Sequence, residues 1–115
     1  MIWTEERPWG RFLNLLDSAI CKVKLIEVDP GKRLSYQSHR KRRESWTVVD
    51  GQAVVTIDGT DFRLSVGEHI DIPLEAKHRL SNLGARRLQI VEVQTGSYFG
   101  EDDITRYQDD FGRST

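Results

Sequence analysis

The chain has 115 residues and a formal net charge of −1. That size fits one domain over residues 1–115 around one core, and the charge excludes a general nucleic-acid binder, whose surface would be basic throughout. No apolar run approaches the roughly 20 residues of a membrane helix, residues 1–6 lack the basic start and apolar stretch of a secretory signal, and the one cysteine, Cys21, has no intrachain partner, so we expect no membrane partner and a cytoplasmic location.

Short β-branched runs punctuated by turn residues dominate the pattern. Residues 21–29 alternate, with Val23 and Leu25 on one face and Lys22 and Lys24 on the other, and Pro30-Gly31 ends the run. Residues 46–49 lead into Asp50-Gly51, and residues 53–57 lead into Asp58-Gly59. Both Asp-Gly pairs predict hairpins, because glycine supplies the positive φ of a tight turn. Phe62, Leu64 and Val66 alternate with Arg63 and Ser65. Ile70 and Ile72 follow the Gly67 turn, and Leu88, Ile90 and Glu92 alternate with Gln89, Val91 and Val93. Strands at such regular spacing, with almost no helical periodicity, predict an all-β antiparallel sandwich or barrel. The acidic stretch 100–115 is expected to include a short helical turn, and Cys21 to be a small core residue.

Four possible metal ligands fall in two patches, Gln37, His39 and Glu44 in the first and His78 in the second. They offer an amide oxygen, two imidazoles and a carboxylate. Such a mixture suits a borderline divalent ion with one or two positions left open. Gln37 and His39 are two apart, so a strand would show both on one face. Glu44 lies near the start of the next strand, and His78 opens another after Pro73. A small barrel would bring these distant segments to one interior and hold one small ligand at its mouth. His69, beside Ile70, is expected to be exposed or just outside the ligand set. The run from Arg40 to Arg43 reads either as a solvated loop or as an anion-attracting rim beside the ligands. Trp9 and Trp46 are expected in the core.

The segments 31–51, with His39 and Glu44, and 67–82, with Pro73 and His78, resemble the two cupin motifs. Gln37 stands where most cupins carry a first histidine, which is similar to the type II phosphomannose isomerases. Residues 7–10 (Arg-Pro-Trp-Gly), 34–39, 42–46, 72–82 and above all 94–106 are similar to that family, so the resemblance covers nearly the whole chain. It implies an all-β jelly-roll cupin barrel, a small double-stranded-sheet fold. It also implies a metal-dependent aldose–ketose isomerase of carbohydrate metabolism, tied to GDP-mannose biosynthesis. In that family the cupin often follows a mannose-1-phosphate guanylyltransferase domain, and no nucleotidyl transfer is expected from these 115 residues. Ser45 departs from a common histidine, and Arg40 and Lys41 replace residues that are often histidines. These changes are expected beside the metal.

The implied reaction interconverts mannose 6-phosphate and fructose 6-phosphate by moving a proton between C1 and C2 through an enediol. A divalent ion held by Gln37, His39, Glu44 and His78, zinc first with cobalt, nickel, manganese or iron as alternatives, would polarise the sugar oxygens. Glu101 and Asp102 are candidate bases near the barrel mouth. Arg106 closes the family's Gly-Glu-Asp-Asp-Ile-x-Arg motif; its planar fork suits a phosphate or an enediolate oxygen, and the other reading pairs it with Asp102 or Asp103. Arg42 and Lys41 are further phosphate candidates, and Tyr36 and Tyr98 could bond sugar hydroxyls. Two other functions stay open: a non-catalytic metal- and sugar-binding cupin, and, from two histidines with a carboxylate, an Fe(II) dioxygenase. A homodimer is expected, with residues 7–16 as an edge or exchanged segment.

Overall fold

The alternation seen in the sequence folds into strands throughout. The structure, a computed structural model, describes residues 2–112. Among these residues there are eleven strands and no helix, and so no helix long and apolar enough to cross a membrane. In chain order they are β1 (Trp3–Arg7), β2 (Gly10–Asp17), β3 (Lys22–Val28), β4 (Tyr36–Ser38), β5 (Arg42–Asp50) and β6 (Ala53–Ile57). There follow β7 (Thr60–Leu64), β8 (His69–Ile72), β9 (His78–Ser81), β10 (Leu88–Gly96) and β11 (Thr105–Gln108). All pairings are antiparallel. One sheet runs β1-β2-β3-β10-β5-β8, the other β11-β4-β9-β6-β7.

The two Asp-Gly turns differ. Asp58 and Gly59 both have positive φ, 46° and 84°, and join β6 to β7 as a two-residue hairpin, the geometry that matches strand twist. Asp50-Gly51 is not a hairpin, because β5 and β6 belong to different sheets. Gly51, at φ 84°, turns a corner where an added Cβ would lie 3.0 Å from the Arg87 carbonyl oxygen. Three further expectations are corrected. The stretch after Gly100 forms β11 against β4 in place of a helical turn, residues 113–115 lying outside the described ones. Cys21 is half-buried at the β2–β3 turn, where its carbonyl accepts from the Ser18 amide, so it is not a core residue. Within residues 7–16, β2 is paired on both sides, and the open edge is β1.

Register gives the interior its character, because residues opposite each other on neighbouring strands share a face. One inward row of the six-stranded sheet reads Phe12, Ile26, Ile90 and Val48, and the next Val28 and Leu88. With Val55 and Leu80 of the other sheet they form a closed apolar core, where each large side chain contributes roughly 1.5–3 kcal/mol by leaving water. Towards the other end of the same strands the inward rows turn polar. One reads Asn14, Lys24, Glu92 and Trp46, the other Lys22, Gln94 and Glu44. All seven are buried. Lys22 and Lys24 thus face inward, while Val23 and Leu25 face out.

Candidate metal centre

The first ligand patch is placed by β4 and the turn after it. Gln37 sits on β4 directly opposite His78 on β9, and Arg106 on β11 is directly opposite Gln37. One transverse row of the five-stranded sheet therefore carries Arg106, Gln37 and His78 on the inner face. His39 follows β4; its carbonyl accepts from the Glu75 amide at 2.8 Å, which ties the first patch to the second. Glu44 enters from β5 of the opposite sheet.

His39, Glu44 and His78 converge, each offering one ligand atom, with those atoms all within 4.8 Å of one another. The His39 Nδ1 donates to the Asp103 carbonyl oxygen at 2.6 Å, and the His78 Nδ1 to the Ala76 carbonyl oxygen at 2.9 Å. Each ring then turns Nε2 to the Glu44 carboxylate, at 3.3 and 3.6 Å. Burial pushes both imidazoles down: His39, with Arg42 adding to the effect, to about 4, and His78 in the same direction. Both are neutral near pH 7, so two lone pairs face a carboxylate. That arrangement suits a cation set between them, and backbone carbonyls that fix the ring tautomer are usual around metal-binding histidines. The His78 Nε2 is buried without a hydrogen-bond partner among the described residues, which fits a metal-ligating atom. Gln37 holds its amide oxygen 3.0 Å from the Ser35 hydroxyl, which donates to it. The donor set fits a divalent metal.

Beside the cluster is a cavity of about 100 Å³, lined in part by Gln37, Arg42, Arg106, Lys24, Glu92 and Glu101. Arg42 stands between the two. Its Nε donates to Glu44 at 2.9 Å, one terminal nitrogen to His39 Nε2 at 3.2 Å, and the other to Glu101 at 3.1 Å. The Trp46 indole N–H reaches both Glu44 and Glu92, at 3.1 and 3.0 Å, and Gln94 donates to Glu92 at 2.6 Å. Burial, then Glu44, pushes the Glu92 carboxyl up to about 7 against the pull of Lys24 and Arg42. Glu101 goes the other way: burial raises it, but Lys24 and Arg42 outweigh that and hold it near 2.

Several expected substrate residues lie elsewhere. Tyr36, next to Gln37 on its strand, faces outward; its hydroxyl accepts from the Gly59 amide and its ring packs edge-on to Tyr107. Tyr98 and Asp102 hydrogen-bond to each other, and with Lys41 they line a separate outer hollow. Asp103 accepts the backbone amides of Arg40 and Lys41 at 3.1 and 2.9 Å. The basic run is thus split, with Arg42 buried and Arg40, Lys41 and Arg43 exposed. Ser45 lines a groove with Glu44, Asp71, Val93 and Thr95, and its alternation with Glu44 along β5 places its own side chain on the outer face. Ser45 is thus next to the ligand Glu44 in the chain, but its side chain points away from the inner face that carries the ligands. His69 is exposed, and Trp9 and Trp46 are buried.

Lys24 and Glu92 are site residues that sequence reasoning passed over. Their signal was present: charged residues held at alternating positions of otherwise apolar strands. Asp103, which orients His39 through its main-chain carbonyl, left no such signal.

Two antiparallel sheets closing on a His-Glu-His cluster define a cupin. Its structure resembles the cupin domain of Cnp3 from Schizosaccharomyces pombe, with a TM-score of 0.72 over 75% of this chain and 64% of that one, at 16% identity. The family model for the mannose-6-phosphate isomerase C-terminal domain matches residues 3–109, and the chain belongs to that family. It is 48% identical to the alginate biosynthesis protein AlgA of Pseudomonas fluorescens over 95% of this chain and 23% of that protein. It is 47% identical to a mannose-1-phosphate guanylyltransferase of Escherichia coli K12 over 93% of this chain and 22% of the relative. The chain thus spans less than a quarter of the length of these relatives.

Proposed function

We propose that this chain is a metal-dependent isomerase that interconverts mannose 6-phosphate and fructose 6-phosphate. The single observation that carries the reading is the buried His39–Glu44–His78 cluster beside a cavity walled by Lys24, Arg42 and Arg106, in a chain of the mannose-6-phosphate isomerase C-terminal family. Gln37, His39, Glu44 and His78 would hold the ion, zinc first among divalent candidates; when bound, it supplies Lewis acidity at the sugar oxygens. The residues do the remaining work. Arg106, on the inner row with Gln37, offers a planar fork to a phosphate or an enediolate oxygen. Glu101 lies on the loop between β10 and β11, paired with two cations, and Asp102 lies in the outer hollow, so we assign proton transfer between C1 and C2 to neither. Glu92 lines the cavity, bonded to Trp46 and Gln94, and would be the carboxyl that moves the proton. The apolar Phe12, Ile26 and Leu34 on the same wall limit water around the reacting carbons.

A coupled assay of fructose 6-phosphate formation, after loading with zinc, cobalt, nickel or manganese, tests the reading. Turnover with at least one metal is expected, and chelation should abolish it. Metal and sugar-phosphate binding with no turnover under any metal would replace it with a binding cupin.

We also infer that the chain pairs with a second copy. Outward rows behind the polar interior read Leu13, Leu25 and Val91, then Leu16, Val23 and Val93, and Leu16 is 46% exposed. An apolar outer sheet face calls for cover, and a net charge of −1 sets little repulsion between copies. Sedimentation should show a dimer, and Val91→Glu a monomer. A wild-type monomer at micromolar concentration would refute it.

A further inference from the structure

We propose that Lys24 and Arg42 form the seat for the substrate's phosphate group, and that the Glu101 carboxylate fills this seat until a phosphate monoester displaces it. The inference deepens the sugar-phosphate reading above and rests on it for the identity of the ligand.

The two cations and their shared anion are unequally held. Lys24 projects from β3 and Arg42 from β5, and both side chains are only 5% exposed. The Lys24 ammonium lies 4.0 Å from the centre of the Phe12 ring, and Arg42 is anchored from behind by Glu44. Glu101 belongs to no strand. It lies between β10 and β11, its side chain 46% exposed, and reaches Lys24 at 2.7 Å and Arg42 at 3.1 Å. A positive socket is therefore built into the sheet, and its counter-ion is carried on a loop.

Buried cations are costly unless paired; Glu44 already pairs with Arg42, whereas Glu101 is the anion that joins Lys24 to Arg42 whenever the ligand is away. A phosphate meets the same need better. It brings close to two negative charges and three acceptor oxygens, enough for an ammonium and a guanidinium fork together. Space points the same way. The cavity is about 100 Å³, whereas small-molecule sites run to roughly 300–1,000 Å³, so a hexose phosphate enters only if part of the wall moves. Glu101 is the wall residue that is both half exposed and outside the strands. Arg42 touches Glu44 with one edge and Glu101 with the other, so a phosphate in the seat lies one guanidinium away from the ligand cluster. That spacing lets the far end of a short sugar reach the cluster.

Titration calorimetry of the metal-free full chain with inorganic phosphate tests this without any turnover. Glu101→Gln should bind phosphate at least about tenfold more tightly than wild type, since it no longer competes as an anion. Lys24→Met added to Glu101→Gln should cancel that gain, and Lys24→Arg should keep it. In the wild type, phosphate should speed proteolysis within residues 97–104 as Glu101 is released. This second readout needs no variant to fold. Equal or weaker phosphate binding by Glu101→Gln, binding by neither protein, or no change in wild-type proteolysis would each overturn the proposal. If the phosphate pattern holds and no metal gives turnover, the isomerase reading fails and the seat stands. If turnover is found and Glu101→Gln leaves phosphate binding unchanged, the seat fails alone.

Discussion

The two ends of the six-stranded sheet use the same strands for opposite purposes. At one end the inward rows are Phe12, Ile26, Ile90 and Val48, and Val28 and Leu88; two residues further along, the inward positions are Lys24, Glu92 and Trp46, and two beyond those Lys22, Gln94 and Glu44. The backbone ladder is continuous between them, so neither end can shift register without turning every inward side chain outward. The apolar end therefore supplies stability that the polar end, crowded with charges, consumes. The difference teaches that in this small barrel the packed half is what holds Glu44, Lys24 and Glu92 in one enclosed space.

The sharpest way to break the comparison is at the apolar end. Leu80→Ala, at a fully buried position, should cost about 2–5 kcal/mol, read from urea unfolding, while metal affinity of the folded fraction stays near wild type. A loss of metal affinity as large as the loss of stability would show that the ends are not separable. Next comes pH, which acts on the polar end. His39, facing Arg42, Glu44, His78 and the Asp103 carbonyl, titrates near 4 in the fold and near 6.5 when unfolded. Its share of stability is complete above about 6.5 and is lost as pH falls through 4, about 3 kcal/mol in all. Glu92, raised to about 7, runs the other way and loses stability as pH rises from 4.5 through 7. The difference between wild type and His39→Gln in metal-free urea melts isolates the histidine, and a difference that does not change with pH would count against this assignment.

Glu44→Ala should lower metal affinity by more than about a hundredfold, the upper range for residues one step further from a metal, measured by calorimetry. Unchanged affinity would remove the cluster as a metal centre. The smallest effect is expected for Ser45→His. Because Ser45 faces away from the cavity, stability should change by no more than about 0.5 kcal/mol, and metal affinity should hold. A clear gain in metal affinity would mean that position 45 does reach the site.

Much of the fold was legible because period-two alternation and glycine turns are local. The residues 53–57 match β6, and the strands through residues 21–29, 46–49 and 88–93 fall where alternation puts them. The Asp58-Gly59 hairpin was legible for the same reason. The Asp50-Gly51 corner was not, since the same dipeptide serves a turn within a sheet or a crossing between sheets, and only distant pairing chooses. β4 and β11, short and polar, carry too little pattern to announce themselves.

For the site, residue types alone determined that Gln37, His39, Glu44 and His78 were the candidates, and that the chain is a cupin of the mannose-6-phosphate isomerase C-terminal family followed from its motifs. Which face looks inward was decided only by the tertiary structure. Alternation at residues 22–25 shows two faces but not which is enclosed, and the general tendency of valine and leucine to be the buried side does not hold here. Packing put Lys24 and Glu92 within the barrel, turned Tyr36 and Ser45 out of it, and bound Glu101 to two cations. The physical reason is that a strand's pattern has a period but no direction. Direction comes from the sheet that closes over it.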